Sequence, residues 1–193
     1  MLEKLLQWDR DTFVYLNNLG IEQYDSFWST VTAITTWIPL YLLFIFLFFY
    51  KSTFREGLVK VVSFFALVIF IIFITDLTKN YVARLRPNND VNVNTLIRIL
   101  KSPTDYSFFS GHAASSFSIT LFVFLVLRKK YKWTIFFFIW PILFATSRIY
   151  IGVHFPLDIL VGVLVGILSG VLFYTLYKKV QQRWVHSKLD YPA

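Results

Sequence analysis

Apolar residues gather in five long runs separated by short polar connections. The first extends from about Val31 to Tyr50 and contains LYLLFIFLFFY, and the second extends from about Leu58 to Leu77. A third runs from about His112 to Leu127, a fourth from about Trp133 to Tyr150, and a fifth from about Leu157 to Tyr177. A hydrocarbon layer about 30 Å thick takes roughly 20 helical residues to cross. Runs one, two and five meet that length plainly, whereas three and four are shorter and carry Ser, Thr or Arg at one end. The pattern predicts an all-α protein, a polytopic transmembrane helix bundle of about five spans. The first thirty residues differ. Leu2, Leu5, Leu6, Phe13 and Leu16 recur near helical spacing among Glu3, Lys4, Asp9, Arg10 and Asp11. They predict an amphipathic helix lying on the membrane and ending near Gly20. Acids interrupt this segment and no small-residue cleavage site follows an apolar core, which argues against a cleaved signal peptide. The expected organisation is one domain, with an interfacial helix over 1–30, a bundle over 31–177 and a basic cytoplasmic tail over 178–193.

Composition sharpens this picture. Hydrophobic residues make up 56% of the chain and charged residues 16%, against about 25% charged in an average soluble domain. The 22 Phe in 193 residues exceed what a soluble core of this size can hide, so an ordinary soluble domain and a disordered chain are both excluded. Without cysteine there is no disulfide scaffold, thiolate catalysis or Cys-based metal site. The net charge of +8 admits a nucleic-acid partner in principle. In so apolar a chain it fits charges flanking membrane spans instead, and no nucleic acid is expected.

The loop charges set an orientation. Lys51, Arg55 and Lys60 follow span one, Arg128, Lys129, Lys130 and Lys132 follow span three, and Lys178, Lys179, Arg183 and Lys188 lie in the tail. With five spans these regions share one side, assigned to the cytoplasm. The outward side should then be poor in cations, yet Lys79, Arg84, Arg86, Arg98, Lys101 and Arg148 fall there. A bound anion explains cations at translocated span ends. Snorkelling at the interface accounts for Arg98 and Lys101 equally well.

Three clusters sit at these outward ends: Lys79 to Pro87, Ser107 to His112, and Ser147 to Asp158. Pro156 suits the first turn of a helix, and Asp158 in that turn can reach back to the His154 ring. A carboxylate on one imidazole nitrogen fixes the tautomer and makes the other a better nucleophile or base. Ser110 and Gly111 open span three, where free backbone N–H groups can cradle an oxyanion or phosphate. His112 stands at the same end. With Lys79, Arg86 and Arg148, the set suits a phosphoryl group whose charge lies on its equatorial oxygens. Taken singly, each residue has a plainer reading. A lone interfacial His is more often a polar anchor, Arg148 alone would snorkel, and Asp158 alone could be a helix N-terminal charge. Arg84 is left outside the core set, as a headgroup contact or a solvent-facing charge. Asp76 is read as structural, a partner for Lys79 or a polar lining group.

Together the clusters resemble the three signature motifs of the type 2 phosphatidic acid phosphatase (PAP2) superfamily: K-x6-R-P, P-S-G-H, and S-R-x5-H-x3-D. The first is complete with Lys79, Arg86 and Pro87, and the third with Ser147, Arg148, His154 and Asp158. In the second, Phe109 stands where the family usually has Pro, while Ser110, Gly111 and His112 match. The resemblance implies that His154 attacks phosphorus to form a phosphohistidine, that Asp158 orients it, and that His112 protonates the leaving oxygen. Lys79, Arg86, Arg148, Ser110 and the Gly111 amide would hold the phosphate oxygens. It also implies no metal and no cofactor, and a membrane lipid phosphate or diphosphate as substrate, met at the outer face of a bacterial inner membrane. Undecaprenyl diphosphate is the leading expectation, ahead of phosphatidylglycerophosphate and lipid A. A non-catalytic lipid-phosphate binding or transport protein is the alternative class. The His154/Asp158 pair and a second His speak against it, because holding phosphate needs neither.

Overall fold

The computed structural model describes residues 1–186; Lys188 and the end of the expected tail lie outside them. The described residues form helices and connections, with no strand. Helix α1 (Leu2–Asn18) ends close to the expected Gly20. Its inward face is Asp9, Phe13 and Asn17, four residues apart and fully buried, so one stripe of the helix packs on the body. The Asn17 amide donates to the carbonyls of Arg98 at 3.1 Å, Ile149 at 2.9 Å and Tyr150 at 3.1 Å, and accepts from the Arg98 N–H at 2.7 Å. Leu2, Leu5, Trp8 and Tyr15 point away from the protein. The polar residues of this stripe are thus the inward ones, which the apolar spacing did not anticipate.

Run one starts at a bend. Helix α2 (Asp25–Val31) precedes it, and a 3-10 turn at Ile34–Trp37 leading into helix α3 (Ile38–Phe49) carries it, with a bend of 62° between the halves. Side chains stabilise the bend. Thr36 Oγ1 donates to the Thr30 carbonyl at 2.7 Å and Trp37 Nε1 to the Val31 carbonyl at 2.8 Å, satisfying acceptors that a continuous helix would have used.

Helix α4 (Phe54–Val82) opens on a capping box between Thr53 and Glu56 and is apolar on all sides. Phe64, Leu67 and Ile71 face the core, and Phe65, Ile69 and Phe73 face outward. Helix α5 (Gly111–Leu127) follows, then a 3-10 stretch at Lys132–Phe138 leading into α6 (Ile139–Tyr150), then α7 (Pro156–Gln181). Three helices are long and apolar enough to cross a membrane, or four if the bent pair is one span. The 17 residues of α5 rise only about 25 Å.

Between lipid-facing helices there is little hydrophobic drive, so close packing and small residues do the joining. On α7, Gly162, Gly166 and Gly170 lie against the backbone of α5. A Cβ at Gly162 would come within 2.6 Å of the Ser110 carbonyl, and one at Gly166 within 2.6 Å of the Ala114 carbonyl. This contact sets the starts of α5 and α7 side by side, and the Ser110 N–H donates to the Asp158 carbonyl at 2.9 Å. The turn between α6 and α7 passes through Gly152 at φ +84°, where a Cβ would meet the Arg98 carbonyl at 2.6 Å. The end of α4, the starts of α5 and α7 and the end of α6 therefore share one end of the bundle. At the other end Lys130 Nζ donates to the Tyr50 carbonyl at 2.9 Å and to the Lys51 carbonyl, joining the two basic loops. Lys60 is not a loop charge. It is buried within α4 and donates to the Phe48 carbonyl at 3.1 Å and to Ser52 Oγ at 2.7 Å.

Candidate active site

His154 lies in the turn just before α7, with only 1% of its surface exposed. Its Nδ1 is 3.4 Å from Asp158 Oδ2, an ion-pair distance rather than a fully formed hydrogen bond. The same Oδ2 accepts the Phe155 N–H at 3.0 Å, so the first turn of α7 aims the carboxylate at the ring. On the other side, Arg86 Nη1 is 2.9 Å from His154 Nε2. Arginine is always a donor, so Nε2 is inferred to be the acceptor and the ring proton to sit on Nδ1, facing Asp158. That tautomer puts the ring's lone pair on Nε2, where the Arg86 guanidinium holds it in this structure. Burial, with Arg86, Arg148 and Lys79 nearby, holds the imidazole well below its usual pKa.

Arg86 reaches this position because α4 ends abruptly. Ala83 adopts a left-handed conformation, with its N–H on the Lys79 carbonyl at 2.9 Å, and the chain leaves extended through Arg84 and Arg86. Arg86 also donates to the Val153 carbonyl at 2.9 Å, and its Nη2 to Asp105 Oδ2 at 2.9 Å. Lys79 Nζ meets the same Asp105 Oδ2 at 2.5 Å. Burial alone would raise the Asp105 carboxyl, but hydrogen bonds from Arg86 and Lys79 outweigh it and hold it far below the usual carboxylate range. Lys79 is thus paired with Asp105 and not with Asp76, which is exposed.

Arg148, at the end of α6, is buried. Its Nη1 donates to Thr32 Oγ1 at 2.6 Å, and its Nε has no hydrogen-bond partner among the described residues. Ser110 caps α5, its Oγ accepting the Ala113 N–H at 3.4 Å, and Gly111 lies so close to α4 that a Cβ would meet Thr75 Cγ2 at 2.9 Å. The His112 ring lies 4.8 Å from that of Phe144, centre to centre, tilted by 38°. Two cavities meet at His112. One, of about 530 Å³, is lined by Thr32, Thr35, Lys101, Ser102 and Arg148 among others. The other, of about 430 Å³, runs between α3, α4 and α5 past Tyr41, Ile45, Phe64, Val68 and Ile119 and is almost wholly apolar. Among the described residues no group of three His, Asp or Glu side chains is arranged to hold a metal ion.

The sequence model of the PAP2 superfamily matches residues 58–182. The chain belongs to the PAP2 superfamily. It is 31% identical over 194 residues to a lipid A 4'-phosphatase of Porphyromonas gingivalis, covering 95% of this chain and 79% of that one. It is 39% identical over 128 residues to an undecaprenyl-diphosphatase of Sulfolobus acidocaldarius, covering 65% of this chain and 56% of that one. The crystal structure of a transmembrane PAP2-type phosphatidylglycerolphosphate phosphatase from Bacillus subtilis superposes with a TM-score of 0.72 at 21% identity, covering 92% of this chain and 88% of that one. That likeness supports the fold. This PAP2 protein is an integral membrane protein.

The ends of the three PAP2 motifs lie at one end of the bundle, and the fold adds residues that the motifs omit. Arg84 is only partly exposed. It bridges Asp158 Oδ1 at 2.7 Å and Asp9 Oδ2 at 2.6 Å. Asp9 carried no signal in the sequence, because an acid within an amphipathic helix reads as a solvated charge. Asp105 and Thr32 were invisible for a different reason: each acts by touching a motif cation from a distant segment. Arg98 is removed from the anion-binding set, since both oxygens of Asp25 accept from its Nη2 at 2.9 and 2.8 Å. Lys101 is exposed but lines the polar cavity.

Proposed function

We propose that this protein removes phosphate from a membrane lipid phosphate or diphosphate through a phosphohistidine on His154. The observation that carries the reading is the meeting of two unlike cavities at His112. The polar one takes an anionic headgroup beside Arg148, and the apolar one takes a lipid tail between α3, α4 and α5. Nε2 of His154 attacks phosphorus as the bond to the leaving oxygen breaks, and His112 supplies that oxygen's proton. Lys79, Arg86, Arg148, Ser110 and the Gly111 amide hold the oxygens where charge develops. Asp158 keeps the ring proton on Nδ1. Water then releases phosphate from His154, without a metal ion or cofactor in either step. In this reading α1 lies in the outer interface, α2 and α3 together with α4 to α7 make five spans, and the site opens outward from a bacterial inner membrane.

Undecaprenyl diphosphate is the first substrate reading, supported by the 39% identity to an undecaprenyl-diphosphatase. Lipid A 4'-phosphate is the second, favoured by a relative so named that matches 95% of this chain. Phosphate release by purified protein in EDTA, from polyprenyl diphosphate, lipid A, phosphatidylglycerophosphate and phosphatidate, separates them. Release from none of the four, with the protein folded and binding them, would favour a lipid-phosphate carrier.

A further inference from the structure

Next to His154, and lining neither of the two cavities that meet at His112, two carboxylates share one guanidinium. Arg84 Nη1 donates to Asp158 Oδ1 at 2.7 Å and Nη2 to Asp9 Oδ2 at 2.6 Å. Both carboxylates are fully buried. The other oxygen of Asp9 accepts the Leu157 N–H at 2.8 Å, so Asp9 is tied to the same helical turn that carries Asp158. The guanidinium lies 4.2 Å from the centre of the Phe155 ring, and Phe13 of α1 packs edge-on against that ring at 5.3 Å. A buried charge persists only when paired and hydrogen-bonded. This set is fully paired, yet it carries two negative charges against one positive. Burial pushes the Asp9 carboxyl up, opposed by hydrogen bonds from Arg84 and Leu157.

We infer that Arg84 and Asp9 are positioning residues for the His154 step: Asp9 fixes the guanidinium, and the guanidinium fixes Asp158 against the imidazole. The inference rests on reading His154 as the nucleophile. When Nε2 bonds to phosphorus and the leaving oxygen departs with a proton from His112, the imidazole keeps its Nδ1 proton and becomes cationic. Asp158 must then be ionised and correctly aimed. Arg84 alone would neutralise Asp158 and blunt its pull on that cation. Asp9 takes half of the fork and leaves the trio with a net negative charge that matches the phosphoimidazolium. The N-terminal helix, which lies outside all three PAP2 motifs, thereby becomes part of the catalytic apparatus.

His154 also faces Arg86 and Lys79 from α4 and its exit, Arg148 from α6, His112 from α5 and Asp105 from the loop before α5. None of these is altered by changes at Arg84 or Asp9. The test compares Arg84→Gln, Arg84→Lys and Asp9→Asn with the parent in detergent, measuring kcat, KM and the pH dependence of kcat on one lipid phosphate. A misaimed catalytic group costs up to about 100-fold, so kcat falls by about 100-fold in Arg84→Gln and about 10-fold in Asp9→Asn, with KM changed by less than about threefold. Losing a cation favours protonation of the His154–Asp158 unit, so the acid limb of Arg84→Gln moves to higher pH. Losing an anion moves that of Asp9→Asn to lower pH. Arg84→Lys keeps the charge without the fork and recovers part of the rate. Unchanged kcat, or losses with an unmoved acid limb, would mean that the network only anchors α1, and would overturn the inference. If Arg84→Gln does not fold, the rate and limb of Asp9→Asn decide alone. An inactive parent would instead refute the phosphatase reading on which this rests.

Discussion

At one end of the bundle Lys79 and Arg86 share the Asp105 carboxylate, Arg84 bridges Asp9 and Asp158, and Arg148 is buried on Thr32. At the other end Lys51, Arg55, Arg128 and Lys129 are exposed. Lys51 lies over the Tyr50 ring at 5.5 Å and Arg128 over the Phe124 ring at 5.8 Å. Cations alone therefore do not mark a site in a membrane protein. What separates the two ends is desolvation. An exposed cation at a span end contributes orientation through its mere presence. A buried one must be hydrogen-bonded or paired, as Lys60 is by the Phe48 carbonyl and Ser52, and where protein carboxylates supply part of the match, a substrate phosphate can supply the rest. Asp105 is informative here, because its carboxylate sits on the two cations that a phosphate would use.

This contrast can be broken from either end. The largest effect is expected at His154: His154→Ala stops phosphate release from lipid phosphate and from p-nitrophenyl phosphate alike, measured with protein shown to be folded, since no covalent step remains. His112→Ala comes next. Its loss on lipid phosphate is about 10²–10⁴-fold, and smaller on p-nitrophenyl phosphate, whose leaving group needs little protonation. Equal losses on both substrates would make His112 a phosphate-holding group instead. Asp105→Asn gives a smaller change in the opposite direction. With one competing anion neutralised, vanadate inhibits at a severalfold lower concentration, whereas weaker inhibition would mean that Asp105 aligns Lys79 and Arg86 rather than competing for them. At the far end Lys129→Gln leaves kcat within about twofold, as expected for a solvated charge, and a large loss there would erase the distinction between the ends.

The candidate site residues were easier to single out in the sequence than the course of the helices. Lys79, Arg86, Ser110, Gly111, His112, Arg148, His154 and Asp158 were legible because each motif is local, and the helix ends it occupies are marked by residues such as Pro156 and Ser110. Run one was not legible as starting at a bend. Its apolar count suits a span, and the bend depends on the Thr36 and Trp37 side chains finding carbonyls six residues back. Asp9 escaped for a related reason. Helical spacing reports which residues share a face, not which face meets protein, and in apolar surroundings the polar stripe is the one that turns inward. Phe109, the one departure from the second motif, is buried among core residues around the start of α5, so the hydrophobic packing at that entry is kept without the family's proline.

The account stands on His154 forming a covalent bond to phosphorus. The most direct measurement is rapid quenching of the purified protein, mixed with a phosphate-labelled lipid substrate, into base, where a phosphohistidine survives, followed by peptide mapping. The predicted result is label on His154 in the parent, its absence in His154→Ala, and its accumulation in a variant whose water step is slowed. Label on His112, or rapid phosphate release with no labelled protein at any quench time, would contradict the assignment.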